Sequence, residues 1–285
     1  MSVVAFLPAR LLAHVKHVFG EEPGLLVADS WQDLESLIRR NPVGVVILDP
    51  AADGQMKVDA VANLIKRYPS LPLVAYVGLH APQFKAVAQL GRLGLTEVVL
   101  QHFDDEPEAF KERVERLEGS ELSHALVSVL KNRLARVPRQ LAVTLENVFE
   151  QPHRYSSAFD IAIDAHVAIV KVYRDMDAAG LGSPKKLLIA AKVARGFGYL
   201  RDPGYSVLDV SIKLGYKSAR IFSHHWVDVF GQKPAGIRNR LSDEDAIERV
   251  LEWLRSGDGE SLEDDRGPPN GPNGSRRRRR RREPN

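Results

Sequence analysis

Apolar positions change their spacing twice along this chain of 285 residues. In the first part, short apolar runs alternate with amphipathic stretches. Val3–Leu7 reads as a strand and Ala9–Phe19 as a helix; Gly24–Ala28 precedes a helix over Trp31–Arg40, with Asp29 or Ser30 placed to cap it. Val43–Leu48 is almost wholly β-branched residues and leucine, as a strand covered on both faces should be. Val58–Arg67, Ala81–Leu93 and Pro107–Leu117 carry helical spacing, with Leu71–Val77 and Glu97–Leu100 as strands between them. Five strand–helix units in a row predict a doubly wound α/β sheet over residues 1–120.

A second pattern begins after Glu118-Gly119-Ser120. Residues 121–136 form a linker helix whose apolar stripe is Leu122, Leu126, Val129, Leu130 and Leu134. The stripe suits either pairing with a second copy or packing back on the first domain. Pro138 marks a new helix start. From 137 to 240 the strand signal disappears and short helices follow one another, which predicts an all-α domain. Residues 241–256 add a helix over Asp243–Leu254 with Ile247, Val250, Leu251 and Leu254 on one side. Residues 257–285 are Gly-, Pro-, Asn- and Asp-rich and end in the arginine run Arg276–Arg282, from which no core can be built.

Charge separates the same two regions. Residues 1–120 hold 12 Lys and Arg against 16 Asp and Glu, whereas residues 137–240 hold 15 against 9, so only the second region is dressed for a polyanion. The chain has no cysteine, which excludes disulfides, thiolate metal sites and cysteine nucleophiles. Its N-terminus, MSVVAFLPARLLAHV, is too often interrupted for a signal peptide or membrane span, so the expected location is the cytoplasm, with no membrane partner. Glycine-rich phosphate loops, nucleophile elbows and metal-ligand clusters are missing, so neither an enzyme, a cofactor nor a metal is expected.

VVILDP, where Asp49 ends the third strand, together with the order and spacing of the five units, resembles the receiver domain of response regulators, which has a flavodoxin-like fold. The resemblance implies Asp49 as the candidate phosphoacceptor. Metal-assisted transfer to an aspartate needs further carboxylates nearby, and receivers carry an acidic pair after the first strand. Here that stretch is Leu7-Pro8-Ala9. The receiver's strand-four hydroxyl residue corresponds to Val77, and its strand-five lysine to Gln101. A pseudo-receiver is expected, with Asp49 capping the loop that follows it.

The most informative segment runs from Ser206 to Pro234. Val207, Val210 and Leu214 form one helix face with Ser206 as N-cap. Ser211 is small where helices must cross, and Gly215 suits a left-handed C-cap. A second helix from Ser218 is expected to bury Ile221, Phe222, Trp226 and Val229 and to end at Phe230-Gly231 before Pro234. Two short helices across a tight turn make a helix-turn-helix whose second helix is shaped for a major groove. Val207, Ser211, Gly215-Tyr216, Phe222-Ser223, Trp226, Phe230-Gly231, Pro234 and Arg238 closely resemble the second helix-turn-helix of AraC/XylS regulators, departing only with Ser211 for alanine. The resemblance implies an upstream copy. A degenerate one fits Leu141–Phe149 as opening helix, residues 156–165 as positioning helix and Val167–Ala179 as recognition helix. Val172, Arg174 and Met176 stand in the family's L-x-R-x-F slots. Gly180-Leu-Gly-Ser-Pro184 then starts a connecting helix, about Lys185–Leu200, and the family's turn glycine is absent near Ala165-His166.

The function so implied is sequence-specific transcription regulation on double-stranded DNA, with RNA polymerase and a second copy of the chain as candidate protein partners. Candidate DNA contacts in the second unit are Lys217, Ser218, Arg220, His224 and His225. Lys217 and Ser218 suit phosphates or adjacent base edges, and Arg220 suits a bidentate pair with guanine. His224 stands where relatives carry arginine, which implies a weaker or pH-sensitive contact. In the first unit Lys171 and Arg174 are the candidates, against ion pairing with Asp175 or Asp177. The competing reading is a nonspecific, architectural DNA-binding protein, favoured by the arginine run and the degenerate first unit.

Overall fold

Val45, Val46, Ile47 and Leu48 are all fully buried, because the strand they form lies between two layers of helices. The computed structural model describes residues 3–20, 24–95, 97–117, 121–236 and 241–256. Its first body runs β1 (Val3–Phe6), α1 (Ala9–Phe19), β2 (Leu25–Val27), α2 (Trp31–Arg40), β3 (Val45–Leu48), α3 (Val58–Arg67), β4 (Leu73–Val77), α4 (Ala81–Gly91), β5 (Glu97–Leu100) and α5 (Pro107–Leu117). All strand pairings are parallel, in the order β2-β1-β3-β4-β5. That order is the flavodoxin-like winding. Alternation along β3 sends Val45 and Ile47 towards Leu11, Val15, Phe110 and Val114 of α1 and α5, and Val46 and Leu48 towards Leu34, Ile38 and Val61 of α2 and α3. Ser30, not Asp29, caps α2: its Oγ accepts the Asp33 amide at 3.1 Å.

The second body is helical: α6 (Glu121–Leu134), α7 (Arg139–Glu150), a 3-10 turn at Pro152–Arg154, α8 (Ala158–Asp164), α9 (Ile169–Ala178), α10 (Pro184–Arg201), α11 (Val207–Lys213), α12 (Ala219–Phe230), a 3-10 turn at Pro234–Gly236 and α13 (Asp243–Arg255). At 18 residues α10 is about 27 Å long, and twelve of those residues are buried, so it is the spine on which the others pack. The stripe on α6 packs chiefly into the helical body, with Leu122 also bordering a cleft that Val43, Gly44 and Leu71 line. Leu122, Leu126, Leu130 and Leu134 pack into the helical body against α7, α10 and α13, while Val129, expected in the stripe, is exposed. On α13 the buried set is Ala246, Val250 and Leu254, with Ile247 and Leu251 half-buried at its edge.

The two bodies share one apolar cluster. It runs from the α2–α3 side of the sheet through Tyr68 and Tyr205 into the α10 spine. Among the described residues no helix is long and apolar enough to cross a membrane. Arg238 and the run Arg276–Arg282 lie outside the described residues.

Candidate nucleic-acid interface

Two helix pairs, α8–α9 and α11–α12, are built to one plan. Ser157 and Ser206 are the N-caps of α8 and α11, each in a capping box with the aspartate three residues on, Asp160 and Asp209. Each first helix ends in the same pair of backbone hydrogen bonds. His166 N–H donates to Ile163 O (3.1 Å) and Val167 N–H to Ala162 O (3.0 Å); Gly215 N–H donates to Ile212 O and Tyr216 N–H to Ser211 O, both at 2.9 Å. The residue that makes the turn is left-handed in both: φ is +72° at Gly215 and +52° at His166. The missing glycine of the first unit is therefore replaced by a histidine held in the conformation glycine favours. Only one residue, Val167, separates His166 from the next N-cap position, Ala168, whereas Tyr216 and Lys217 separate Gly215 from Ser218, so the first turn is one residue shorter.

In the second unit the buried side of α12 is Phe222, Trp226, Val229 and Phe230. Trp226 stacks against Phe197 of α10 and lies edge-on to Phe222, with ring centres 6.4 and 5.6 Å apart. Ser211 Oγ donates to Leu208 O at 2.8 Å, which satisfies a fully buried hydroxyl. Gly196 lets α10 approach this unit: a methyl group there would lie 3.1 Å from both Leu214 Cδ1 and Phe222 Cε2. Ser218 Oγ caps α12 by accepting the Ile221 amide at 3.3 Å, and Gly231, φ +71°, closes its other end. Ile221, expected in the core, is instead exposed, because it precedes Phe222 by one residue and so sits about 100° round the helix from it.

Opposite the aromatic side, Lys217, Ser218, Arg220 and His224 are exposed along one flank. His224 Nδ1 lies 3.0 Å from Asp228 one turn on. His225 is turned away from that flank. Its Nδ1 is 3.3 Å from the Tyr216 hydroxyl, the two rings are 5.6 Å apart, and burial lowers its pKa to about 4, which keeps the ring neutral. The Lys192 amine of α10 stands 5.2 Å from the centre of the Tyr216 ring, with its pKa lowered by burial against the opposing pull of Asp160.

The first unit presents a different surface. Val172 and Met176 are buried, Lys171 is half-buried, and Arg174 is exposed but bonded to Asp175 Oδ1 at 3.2 and 3.3 Å. Several large apolar side chains of this unit are exposed beside its charged ones: Phe159 and Ile163 on α8, Ile169, Val170 (75% exposed) and Tyr173 on α9. Composition and charge over the whole domain concealed this contrast.

At the carboxyl end of the sheet Asp49 is buried, and its Oδ1 accepts the Ala51 amide at 2.7 Å. Burial raises its pKa, opposed by that hydrogen bond and by His80. Gly78 and Gln101 follow β4 and β5 there, and among the described residues no group of three His, Asp or Glu side chains converges as a metal site would.

Reasoning from sequence missed a group at the corner between α10 and α11, comprising Asp202, Gly204, Tyr205 and Lys213. Lys213 is buried, and its amine donates to Ile38 O and Asn41 O at the end of α2. Its partners lie more than 170 residues away, so no local pattern marks it.

No family model matches the chain, and no curated protein matches it. Among solved structures, full-length FixJ from B. japonicum aligns with a TM-score of 0.35 and 17% identity, over 68% of this chain and 96% of that one. The xylose-binding transcription activator XylR aligns with a TM-score of 0.34 and 12% identity, over 84% of this chain and 70% of that one. Likenesses at this level carry no functional weight.

Proposed function

We propose that this chain is a sequence-specific, DNA-binding transcription regulator of the AraC/XylS type, reading two successive major grooves through α12 and α9. One observation carries the reading: α12 buries Phe222, Trp226 and Phe230 and leaves Lys217, Ser218, Arg220 and His224 exposed along one flank. A helix held this way across a tight turn can lay its N-terminal half on base edges while its capped end approaches phosphate. Arg220 then pairs with guanine, Lys217 and Ser218 take phosphates or neighbouring base edges, and His224 contributes a weaker contact. His225 props Tyr216 in the turn and touches DNA little or not at all.

In the first unit Lys171 and Arg174 are the polar candidates, and the exposed Ile169, Val170 and Tyr173 suit the C5-methyl groups of thymine. A connector of about 27 Å between the units is close to the ~34 Å rise of one DNA turn. The sheet body serves as an input domain that is not phosphorylated: Asp49 is engaged with Ala51, and among the described residues no acidic cluster gathers that would bring a divalent ion to it. The segments 137–240 and 1–120 are the two functional domains in this reading, and RNA polymerase and a second copy of the chain are its protein partners. Selecting fragments of the source genome on the immobilised full chain tests the proposal. Recovery of a common two-part motif spanning about two helical turns supports it, and a retained pool no different from input favours the architectural alternative.

A further inference from the structure

Resting on the DNA-binding reading above, we infer that the sheet body is latched onto the α10–α11 corner, and that this latch sets the posture of the second helix-turn-helix on DNA. Its anchors Asp202, Gly204, Tyr205, Asp209 and Lys213 come from residues 202–213, the stretch that leads into and forms the positioning helix α11. Asp202 accepts from Ser70 N–H at 3.0 Å and from Ser70 Oγ–H at 2.6 Å. Gly204 N–H donates to Arg67 O at 2.8 Å, and Tyr205 meets Tyr68 with ring centres 4.8 Å apart. Arg39 reaches Asp209 at 3.7 Å. Lys213 closes the set at the C-terminal end of α2: its amine donates to Ile38 O and to Asn41 O, the latter also accepting the Val43 amide at 2.8 Å. The Tyr199 and Tyr205 rings face the same amine at 5.1 and 4.7 Å.

Gly204 is the seat of the contact. A methyl group there would stand 2.8 Å from Arg67 O and overlap the Tyr68 ring. The chemistry is that of a joint that opens. A buried lysine and a buried carboxylate both carry a desolvation cost, which a permanent core avoids. Beside them a cleft of about 600 Å³, lined by Ser70, Tyr199, Asp202 and Tyr205, leaves the seam incompletely filled. The location also fixes what the latch can sense. It grips the C-terminal ends of α2 and α3, which run back to the amino end of the parallel strands, opposite the end where Asp49 lies. A signal that moves those helix ends reaches α11 directly. With the latch open, the corner pivots, the two units lose their fixed relation, and specific binding loses its preorganisation.

The test uses the full chain, the fragment recovered by genomic selection, and small-angle scattering beside fluorescence anisotropy. Gly204→Ala is expected to enlarge the radius of gyration and to weaken binding to the selected fragment about tenfold, while random duplex binds as before. Because the chain has no cysteine, a Ser70→Cys/Asp202→Cys pair gives an independent control should Gly204→Ala fail to fold. Oxidised, it should stay compact and bind as wild type does; reduced, without the native clasp, it should bind about tenfold more weakly. Equal affinity in both redox states, or an opened Gly204→Ala protein with undiminished affinity, or a Gly204→Ala protein that stays closed, overturns the latch alone. A wild-type chain that prefers no fragment removes the DNA reading, and the latch's role with it.

Discussion

His166 and Gly215 occupy the same place in two copies of one turn, both left-handed, at φ +52° and +72°. A non-glycine residue at such a position costs about 1–2 kcal/mol, and the cost is unequal in the two units. Gly215→Ala should destabilise the protein by about 1–2 kcal/mol in urea unfolding, since the new methyl group also meets His153 O at 3.3 Å. His166→Gly should be neutral or stabilising by up to about 1 kcal/mol, because the relief of strain is partly offset by the freedom glycine gains in the unfolded chain. A neutral Gly215→Ala would show that the second turn does not depend on its backbone.

The approach of α10 to the second unit gives a stability prediction of a different kind. Gly196→Val places methyl groups where a single one would already lie 3.1 Å from Leu214 and Phe222. Overpacking of that size costs about 1–3 kcal/mol, and the displacement falls on the helix that presents Arg220. Thermal melting should show the loss, and DNA binding should weaken with it.

Protonation should move the latch. Burial, helped by Arg195, lowers the pKa of Lys213 from 10.5 to about 7, while Asp209 and Asp202 oppose. The docked state therefore holds fewer protons than the open one between those values, so docking tightens as pH rises from about 7 towards 10 and loosens on the way down. The limit is about tenfold per pH unit. A neutral amine still has two N–H groups for the two carbonyls it serves. Asp202 acts in a lower window. Burial raises it from 3.8 to about 6 against the pull of Ser70, Lys213 and Arg201, so the docked state holds the extra proton there and docking weakens as pH rises from 3.8 through 6. Tyr68, Tyr199 and Tyr205 also face the pair, as does Arg39 through Asp209. Scattering from pH 6.5 to 9.5 should show a more compact chain at the alkaline end. Lys213→Met should abolish that dependence; if the dependence persists in the variant, Lys213 is not its source.

Asp49 should stay unmodified. Acetyl phosphate with Mg²⁺ is expected to leave the chain at its unmodified mass, and a stoichiometric phosphate lost on Asp49→Ala would make the sheet body a working receiver.

The element order was legible because the periods of its segments are strong: all five strands and thirteen helices described fall on stretches whose spacing announces them. A helix is expected from sequence within residues 156–165, and the Ser157–Asp160 capping box sets its start at Ala158. What could not be read was which surface each apolar stripe would find. Leu122, Leu126, Leu130 and Leu134 promised a helix face that needed cover, but only the fold shows that α7, α10 and α13 provide it. Ile221 was assigned to the core by its chemistry, and the helix phase set by Phe222 and Trp226 overrode that. The bond from Lys213 to α2 joins residues with no common local pattern, and an exposed lysine and a buried one look alike in sequence.

Anisotropy titrations of wild type and Arg220→Ala, on the selected fragment and on a random duplex at one physiological salt concentration, test the central claim most directly. Loss of a bidentate arginine–guanine contact should cost about 1–3 kcal/mol on the selected fragment and leave the random duplex within about twofold. An equal loss on both duplexes would show that Arg220 meets phosphate alone, and a wild-type chain binding both alike would contradict reading of sequence by α12.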